Sequence, residues 1–296
     1  MTSRFTIVGL GEALYDIVGG EERLGGAPLN VAVHAQRLGQ AHGVAGVVLS
    51  RIGDDRLGQM MLEDLKARGL TTEHVQIDPD RATGKVYVRV DALGEPSYDI
   101  VERVAWDNLQ WDPQMETLAQ ETDAVCFGSL AQRDGQSRNT IYRFVESCTH
   151  GVRLFDANLR QRFYDTRILR RSCEIASWVK LNRAELDEVC GLLQCDGAEG
   201  MLSAFGLDGV VVTRGAEGTR LVTPSGVVDG VLAESERGEG ADAVGAGDSV
   251  SAAVLVGLAR RLPLQEVADL ANRVGAYVAG QAGATPELPE AVVASG

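Results

Sequence analysis

What the chain has little of limits it first. Basic residues are in deficit, with 28 Lys and Arg against 42 Asp and Glu in 296 residues, a formal net charge of −14. A surface of that sign repels a nucleic-acid backbone, so general binding of DNA or RNA is not expected. ATP stays open, because its phosphates need only a local positive site and a bound cation. Long apolar runs are missing as well. Val250 to Ala259 spans about half of the ~20 residues a membrane helix needs, and the opening Met1-Thr-Ser-Arg-Phe-Thr-Ile-Val8 has no basic segment leading into an apolar core. The five cysteines (Cys126, Cys148, Cys173, Cys190, Cys195) are odd in number and form no CxxC pair. They read as reduced, mostly buried thiols, and Cys190 with Cys195 lacks the second ligand pair of a zinc site. No GxxxxGK(S/T) phosphate loop and no HExxH zinc helix occurs. The four histidines (His34, His42, His74, His150) read as surface or packing residues. Together these absences predict a cytoplasmic chain that engages neither membrane nor nucleic acid.

Glycine is what abounds, at 35 of 296 residues, roughly 12% against ~7% in an average protein. The glycines punctuate short apolar runs, as where strands end in tight turns that lead into helices. Thr6–Leu10, Gly43–Leu49, Ala124–Phe127, Arg153–Phe155, Trp178–Leu181 and Gly209–Thr213 are rich in β-branched residues, the pattern of strands buried on both faces. Helical stretches at Leu29–Leu38, Gly58–Arg68, Asn139–Cys148, Glu185–Leu193 and Asp248–Leu262 alternate with them. That alternation predicts an α/β fold with a parallel sheet covered on both faces. One segment breaks the rhythm. In Lys85–Val90 the valines alternate with Lys85, Tyr87 and Arg89, Asp91–Pro96 supplies a turn, and Ser97–Val101 can return as a second strand. Such a hairpin is either a flap over a site or a surface feature. No repeat or linker divides the chain, so 1–296 reads as a single domain.

The sharpest chemical motif is Asp242-Ala-Val-Gly-Ala-Gly-Asp248, leading into a helix that runs toward Pro263. Its glycines let backbone approach a ligand, and the free amides of a helix start favour an anion. Asp248 then stands where an anion would bind. It serves there either as a helix cap or as an acceptor of a proton. A second motif, Gly25-Gly-Ala-Pro-Leu-Asn30, enters a helix that ends near Gly39. The Asn30 amide either serves ligand hydroxyls lying over Gly25 and Gly26 or bonds a neighbouring loop. Two elements follow strands, where ligands collect in open α/β sheets: Asp156-Ala-Asn-Leu-Arg160 and Asn182-Arg-Ala-Glu185, the latter with the pattern of a capping box. Thr213-Arg-Gly-Ala-Glu-Gly218 ends another strand with a hydroxyl and bare backbone. Gly9-Leu-Gly11 falls short of a dinucleotide fingerprint, since Leu14 replaces the third glycine.

In order and spacing these motifs resemble the PfkB, or ribokinase-like, family of sugar kinases, and most of all its fructokinase branch, from Gly9 to about Pro289. Gly9 to Asp16 is similar to the family's opening strand, Gly25 to Gly39 to its first signature, Gly53-Asp-Asp-Arg-Leu-Gly58 to its GxDxxG step, and Asp242 to Leu255 to its second signature. The resemblance implies a three-layer ribokinase-like α/β fold with a mostly parallel central sheet. It also implies a small β lid drawn from about 12–25 and 83–103, a lid that in this family often pairs two subunits as a homodimer. The implied reaction transfers the γ-phosphoryl group of Mg-ATP to a hydroxyl of a hexose, with fructose as the expected acceptor. By residue match Asp248 is the base, and the amides of Gly245, Ala246 and Gly247 form the anion hole. Asp16, Gly25, Gly26, Asn30, Arg160 and Arg103 match sugar-side positions. Asn182, Thr213, Gly215, Gly218 and Asn272 match the nucleotide side, and Glu185 matches the group that organises Mg²⁺ through water. Asp242 resembles a position of a monovalent-cation site for K⁺. Ala243 departs from the family there, since a hydroxyl or β-branched residue is usual. Two alternatives stand beside this reading. One is a kinase of the same fold for ribose, a 2-keto-3-deoxy sugar acid or a nucleoside, the last disfavoured by the scarcity of aromatics near the sugar-side motifs. The other is a non-catalytic sensor, for which a carboxylate beside the phosphate brings no gain.

Overall fold

Alternation of side chains along short apolar strands sets the architecture, because each strand has one row of residues for each of two helical layers. The computed structural model describes residues 5–90, 96–233 and 236–293. In chain order these form β1 (Phe5–Leu10), β2 (Leu14–Val18), β3 (Glu21–Gly25), α1 (Ala27–Gly39), β4 (Val44–Gly53), α2 (Arg56–Ala67), β5 (Val75–Asp78), β6 (Gly84–Val90) and β7 (Pro96–Ile100). There follow α3 (Pro113–Glu121), β8 (Ala124–Gly128), α4 (Gly135–Ser147), β9 (Val152–Asp156), α5 (Thr166–Ile175), β10 (Trp178–Asn182), α6 (Arg183–Leu193), α7 (Gly197–Phe205) and β11 (Gly209–Thr213). The chain closes with β12 (Thr219–Thr223), β13 (Gly226–Asp229), α8 (Ala246–Ala259), α9 (Leu264–Ala279) and α10 (Glu290–Val293).

A nine-stranded sheet in the order β13-β12-β11-β10-β9-β8-β1-β4-β5 forms the middle layer. From β5 to β11 neighbours pair in parallel, and β12 and β13 close that edge antiparallel. Val8, Val125, Phe127, Phe155, Val210 and Val212 face a layer containing α4 to α7. The alternate residues Ile7, Ala124, Cys126, Leu154, Trp178 and Val211 face α1, α8 and α9. A third apolar cluster joins α1 and α2 through Leu29, Val33, Leu57, Met61 and Leu65. All five cysteines are free thiols, four of them buried, as their count suggests.

The remaining strands form a separate four-stranded sheet, β3-β2-β6-β7. The segment with period-two alternation is the antiparallel pair β6–β7, and Val86 turns inward while Tyr87 and Arg89 stay exposed. Its turn at 91–95 lies outside the described residues. The small sheet springs from the carboxyl end of β1 and returns through Gly25 into α1, at the edge of the main sheet where the signature motifs gather. Among the described residues, no helix is long and apolar enough to cross a membrane.

Candidate active site

The centre of the site is the first turn of α8. Gly245 caps the helix in the left-handed region, at φ 76°, with no side chain closing the turn. Its α-carbon lies so close to the loop at Ala284 that a Cβ would fall 2.2 Å from the Ala284 carbonyl oxygen. The helix starts at Ala246, two residues ahead of the expected Asp248. Asp248 is therefore the third residue of the helix and not its cap. The turn presents backbone amides and one acid together.

Helix α1 brings the other signature to the same place. Asn30 Nδ2 donates to Asp248 Oδ2 at 2.8 Å, across 218 residues of sequence. Asn30 is only 4% exposed and its Oδ1 has no hydrogen-bond partner in the structure. Glu12, in the turn after β1, is 2% exposed and its Oε2 is likewise unpartnered. Buried polar atoms are rarely left in that state, and these two keep acceptor capacity free beside the Asp248 carboxylate. Asp16 on β2 completes the acidic wall, and it leans over Gly25, where a Cβ would stand 2.7 Å from Asp16 Oδ2.

Three carboxyls gathered around one cleft resist ionisation. Burial, then the charge of Asp156, pushes Asp248 up to about 6, against the pull of the Asn30 hydrogen bond, Lys180 and Arg160. Burial raises Asp16 to about 6, with Arg160 opposing and Asp248 adding to the rise. Glu12 is raised furthest, to about 7, again by burial first, while backbone hydrogen bonds and Arg160 oppose and Asp248 adds. Arg160, exposed in the loop after β9, is the cation that bears on all three. Asp248 held near neutrality suits a general base, whose pKa works best near the operating pH.

Arg103 follows β7 in the chain. It takes a left-handed backbone conformation, φ 61°, and lines a cavity of about 380 Å³ together with Arg133, Arg138, Arg162 and Arg167. Within that cavity Asp107 pairs with Arg133, Glu102 with Arg162 and Asp165 with Arg167.

On the far side of α8 the strands β10 to β12 end in groups satisfied by one another. Asn182 caps α6 by accepting from the Glu185 amide at 2.9 Å, and Glu185 Oε2 accepts from the Asn182 amide at 2.8 Å, the capping box expected from sequence. Glu185 Oε1 also accepts from the Leu159 amide at 3.0 Å. Thr213 closes β11 and Gly215 opens the turn beyond it. Asn272, on α9, accepts from the Thr219 amide at 2.7 Å and donates to the Val231 carbonyl at 3.0 Å. It thus joins the two chain segments that flank Gly218. Asp242 Oδ1 accepts from the Val244 amide at 3.1 Å, and Asp242 Oδ2 lies 3.7 Å from the Arg23 guanidinium on β3.

Sequence reasoning missed four kinds of group here. Glu12 was visible only as an acid next to a glycine turn. Asp156 lay inside a quoted motif without a role, and Lys180 was hidden in an apolar strand, where a lone lysine was itself the signal. Val231 and Leu232, 67% and 61% exposed beside Gly218, form an apolar shelf in a segment of no recognisable pattern. Among the described residues, no cluster of three or more His, Cys, Asp or Glu has the arrangement of a metal site.

Comparisons with known proteins identify the family and the fold. The family described as pfkB family carbohydrate kinase matches residues 11–291. A sugar kinase of Pyrococcus horikoshii is 30% identical over 309 aligned residues, which cover 96% of this chain and 94% of that protein. The fructokinase of Escherichia coli is 29% identical, with 95% of each chain covered. Among solved structures, the fructokinase of Vibrio cholerae with fructose, ADP and a calcium ion bound matches with a TM-score of 0.79 at 25% identity, over 99% of this chain and 98% of that one.

Proposed function

Because the chain belongs to the PfkB family of carbohydrate kinases and is a phosphotransferase with a sugar hydroxyl as acceptor, we propose that its acceptor is a hexose, fructose, phosphorylated by ATP at a primary hydroxyl. The observation that carries this reading is the 2.8 Å hydrogen bond from Asn30 to Asp248, which makes one site of the two signature segments. In this reading the sugar lies under the small sheet, with hydroxyls donating to the orphan oxygens of Asn30 and Glu12 and to Asp16, over the bare backbone of Gly25 and Gly26. Asp248 takes the proton of the attacking hydroxyl. The freed oxygen bonds to the γ-phosphorus as the bond to the bridging oxygen breaks, and ADP departs with that electron pair. The amides of Gly245, Ala246 and Gly247 hold the charge that spreads over the transferring group, with Arg160 as a further cation on the acceptor side.

The nucleotide runs outward from α8 past Asn182 and Thr213, with its base on the shelf of Val231 and Leu232 beside Gly215 and Gly218, and Asn272 holding that shelf from beneath. Glu185 fits a role toward Mg²⁺ through water, since each of its oxygens accepts one backbone amide and keeps a lone pair. The ion, when bound, neutralises charge on the phosphates. Asp242 is the candidate neighbour of K⁺, with backbone carbonyls as the remaining donors in place of a hydroxyl at Ala243. The small sheet acts as the lid, and its exposed Tyr87 and Tyr98 offer a surface for a second copy of the chain.

An ADP-release assay over a panel of hexoses, pentoses, nucleosides and sugar acids, with and without K⁺, tests the proposal. Fructose is expected to give the highest kcat/KM. A higher value for a sugar acid, ribose or a nucleoside would replace the acceptor while leaving the phosphotransferase assignment intact.

A further inference from the structure

Beneath the first turn of α8 lies an ion pair that the reaction described above does not use. Lys180 on β10 and Asp156 on β9 are paired neighbours in the parallel ladder. Leu154 and Trp178, two residues earlier on each strand, face α8, so alternation turns Asp156 and Lys180 the same way. Lys180 is 6% exposed, and its Nζ lies 3.1 Å from both Asp156 oxygens. Ser251, fully buried on α8, donates to Asp156 Oδ2 at 2.7 Å and lies 3.3 Å from the Gly247 carbonyl. A Cβ on Gly247 would meet Lys180 Nζ at 3.0 Å. The ammonium is thus packed directly against the glycine backbone that belongs to the anion hole.

A buried ion pair gains little stability over an apolar pair of the same volume. Every neighbouring inward position on these strands is apolar: Leu154, Phe155, Trp178, Val179 and Leu181. The pair therefore calls for a reason other than stability. Its charge lies where phosphoryl transfer accumulates negative charge.

We propose that Lys180 is a positioning residue of phosphoryl transfer, its ammonium clamped by Asp156 and Ser251 against Gly247 so that the first turn of α8 keeps its shape and its positive potential. The inference rests on the reading of Gly245 to Asp248 as the transfer centre. Charged groups facing Asp248 come from every element around it: Asp156 from β9, Arg160 from the loop after β9, Lys180 from β10, Glu12 from the turn after β1 and Asp16 from β2. Lys180 itself faces Asp156, Glu185 and Asp248, and these acids hold its pKa above the usual lysine value in spite of burial. Of the groups on Asp248, Lys180 favours the ionised form and Asp156 opposes it.

The experiment compares K180M, D156N, the uncharged double variant K180M/D156N, S251A and D248N in the full-length enzyme. It reads kcat, both KM values, the pH profile of kcat/KM and the thermal midpoint. K180M is expected to lower kcat about 10- to 100-fold, less than the 10²–10³ lost when an anion-hole donor is removed outright. Sugar KM should change little. The acid limb of the pH profile should move to higher pH in K180M and to lower pH in D156N, a pair of opposite shifts that a merely structural role would not produce. The double variant should fold with a thermal midpoint near that of the parent and still lack the turnover. S251A, which leaves both charges in place, should show a smaller fall in kcat. Parental kcat in the double variant, or acid limbs that coincide, would overturn the proposal; if the Lys180 and Asp156 variants do not fold, parental kcat in S251A would do so. Full turnover in D248N would instead refute the base assignment, and the two failures are read from different variants.

Discussion

On the acceptor side of α8, Glu12 and Asn30 are buried and each keeps an orphan oxygen, whereas on the nucleotide side Asn182 and Glu185 satisfy one another and Asn272 spends its amide inside the chain. The first side carries three carboxyls pushed upward by burial. The second carries open backbone and exposed apolar side chains. Discrimination between hydroxyl patterns needs fixed, desolvated partners, because a missing hydrogen bond is then penalised strongly. Holding a nucleotide against bulk water needs only a shelf and amides. In the proposed reading, sugar hydroxyls would supply the partners that Asn30 Oδ1 and Glu12 Oε2 lack within the chain.

The largest break in this contrast is expected from Asp248→Asn, which keeps shape but removes the proton acceptor. Turnover should fall by about 10²–10⁴, the usual share of a general base, while ATP binding persists. Steady-state kinetics with a nucleotide-binding measurement checks both halves. Near-parental kcat would take Asp248 out of the chemistry.

On the nucleotide side the corresponding probe is Gly218→Ala. Gly218 has φ 76°, and a Cβ there would stand 2.7 Å from Asn272 Nδ2 and 2.8 Å from Leu232 Cδ2. A methyl group must therefore displace the shelf. KM for ATP should rise by about tenfold, the equivalent of 1.4 kcal/mol, with sugar KM nearly unchanged. Equal rises in both would show that the two sides are not independent.

Much of this contrast was legible in the chain, and what was not has physical causes. The six expected strands appear as β1, β4, β8, β9, β10 and β11, because runs such as Gly209–Thr213 are apolar on both faces and have few other ways to be buried. Strand β3, Glu21–Gly25, carries no such signal; it is extended because β2 pairs with it. Strands β12 and β13 are likewise held by pairing, β12 between β11 and β13, and β13 at the edge of the sheet. The capping box at Asn182 and Glu185 was readable because it is local. By contrast, no periodicity links Asn30 to Asp248 or Lys180 to Asp156, since those contacts are made by topology. Resemblance supplied the first pair and left the second unnoticed.

The smallest effect expected is on stability and its pH dependence, through Glu12. Its carboxyl is held at about 7 in the folded chain, against an ordinary value of about 4.3 when unfolded. A folded pKa above the unfolded one means that this group's contribution to stability is fully present below the unfolded value. It declines as pH rises and is lost once pH passes about 7. Glu12→Gln, which mimics the neutral acid, should therefore raise the thermal midpoint at pH 8 by about 3–6 °C, the scale of one to two kcal/mol for a chain of this size. The gain should shrink steadily toward pH 4.5. His34 titrates in the opposite sense, since burial lowers it to about 4, but it is present in both proteins and cancels from the difference. Thermal melts of parent and variant across that range decide the matter. A midpoint difference independent of pH would mean that Glu12 is ionised in the resting fold, and the acceptor side would then carry more charge than its burial allows.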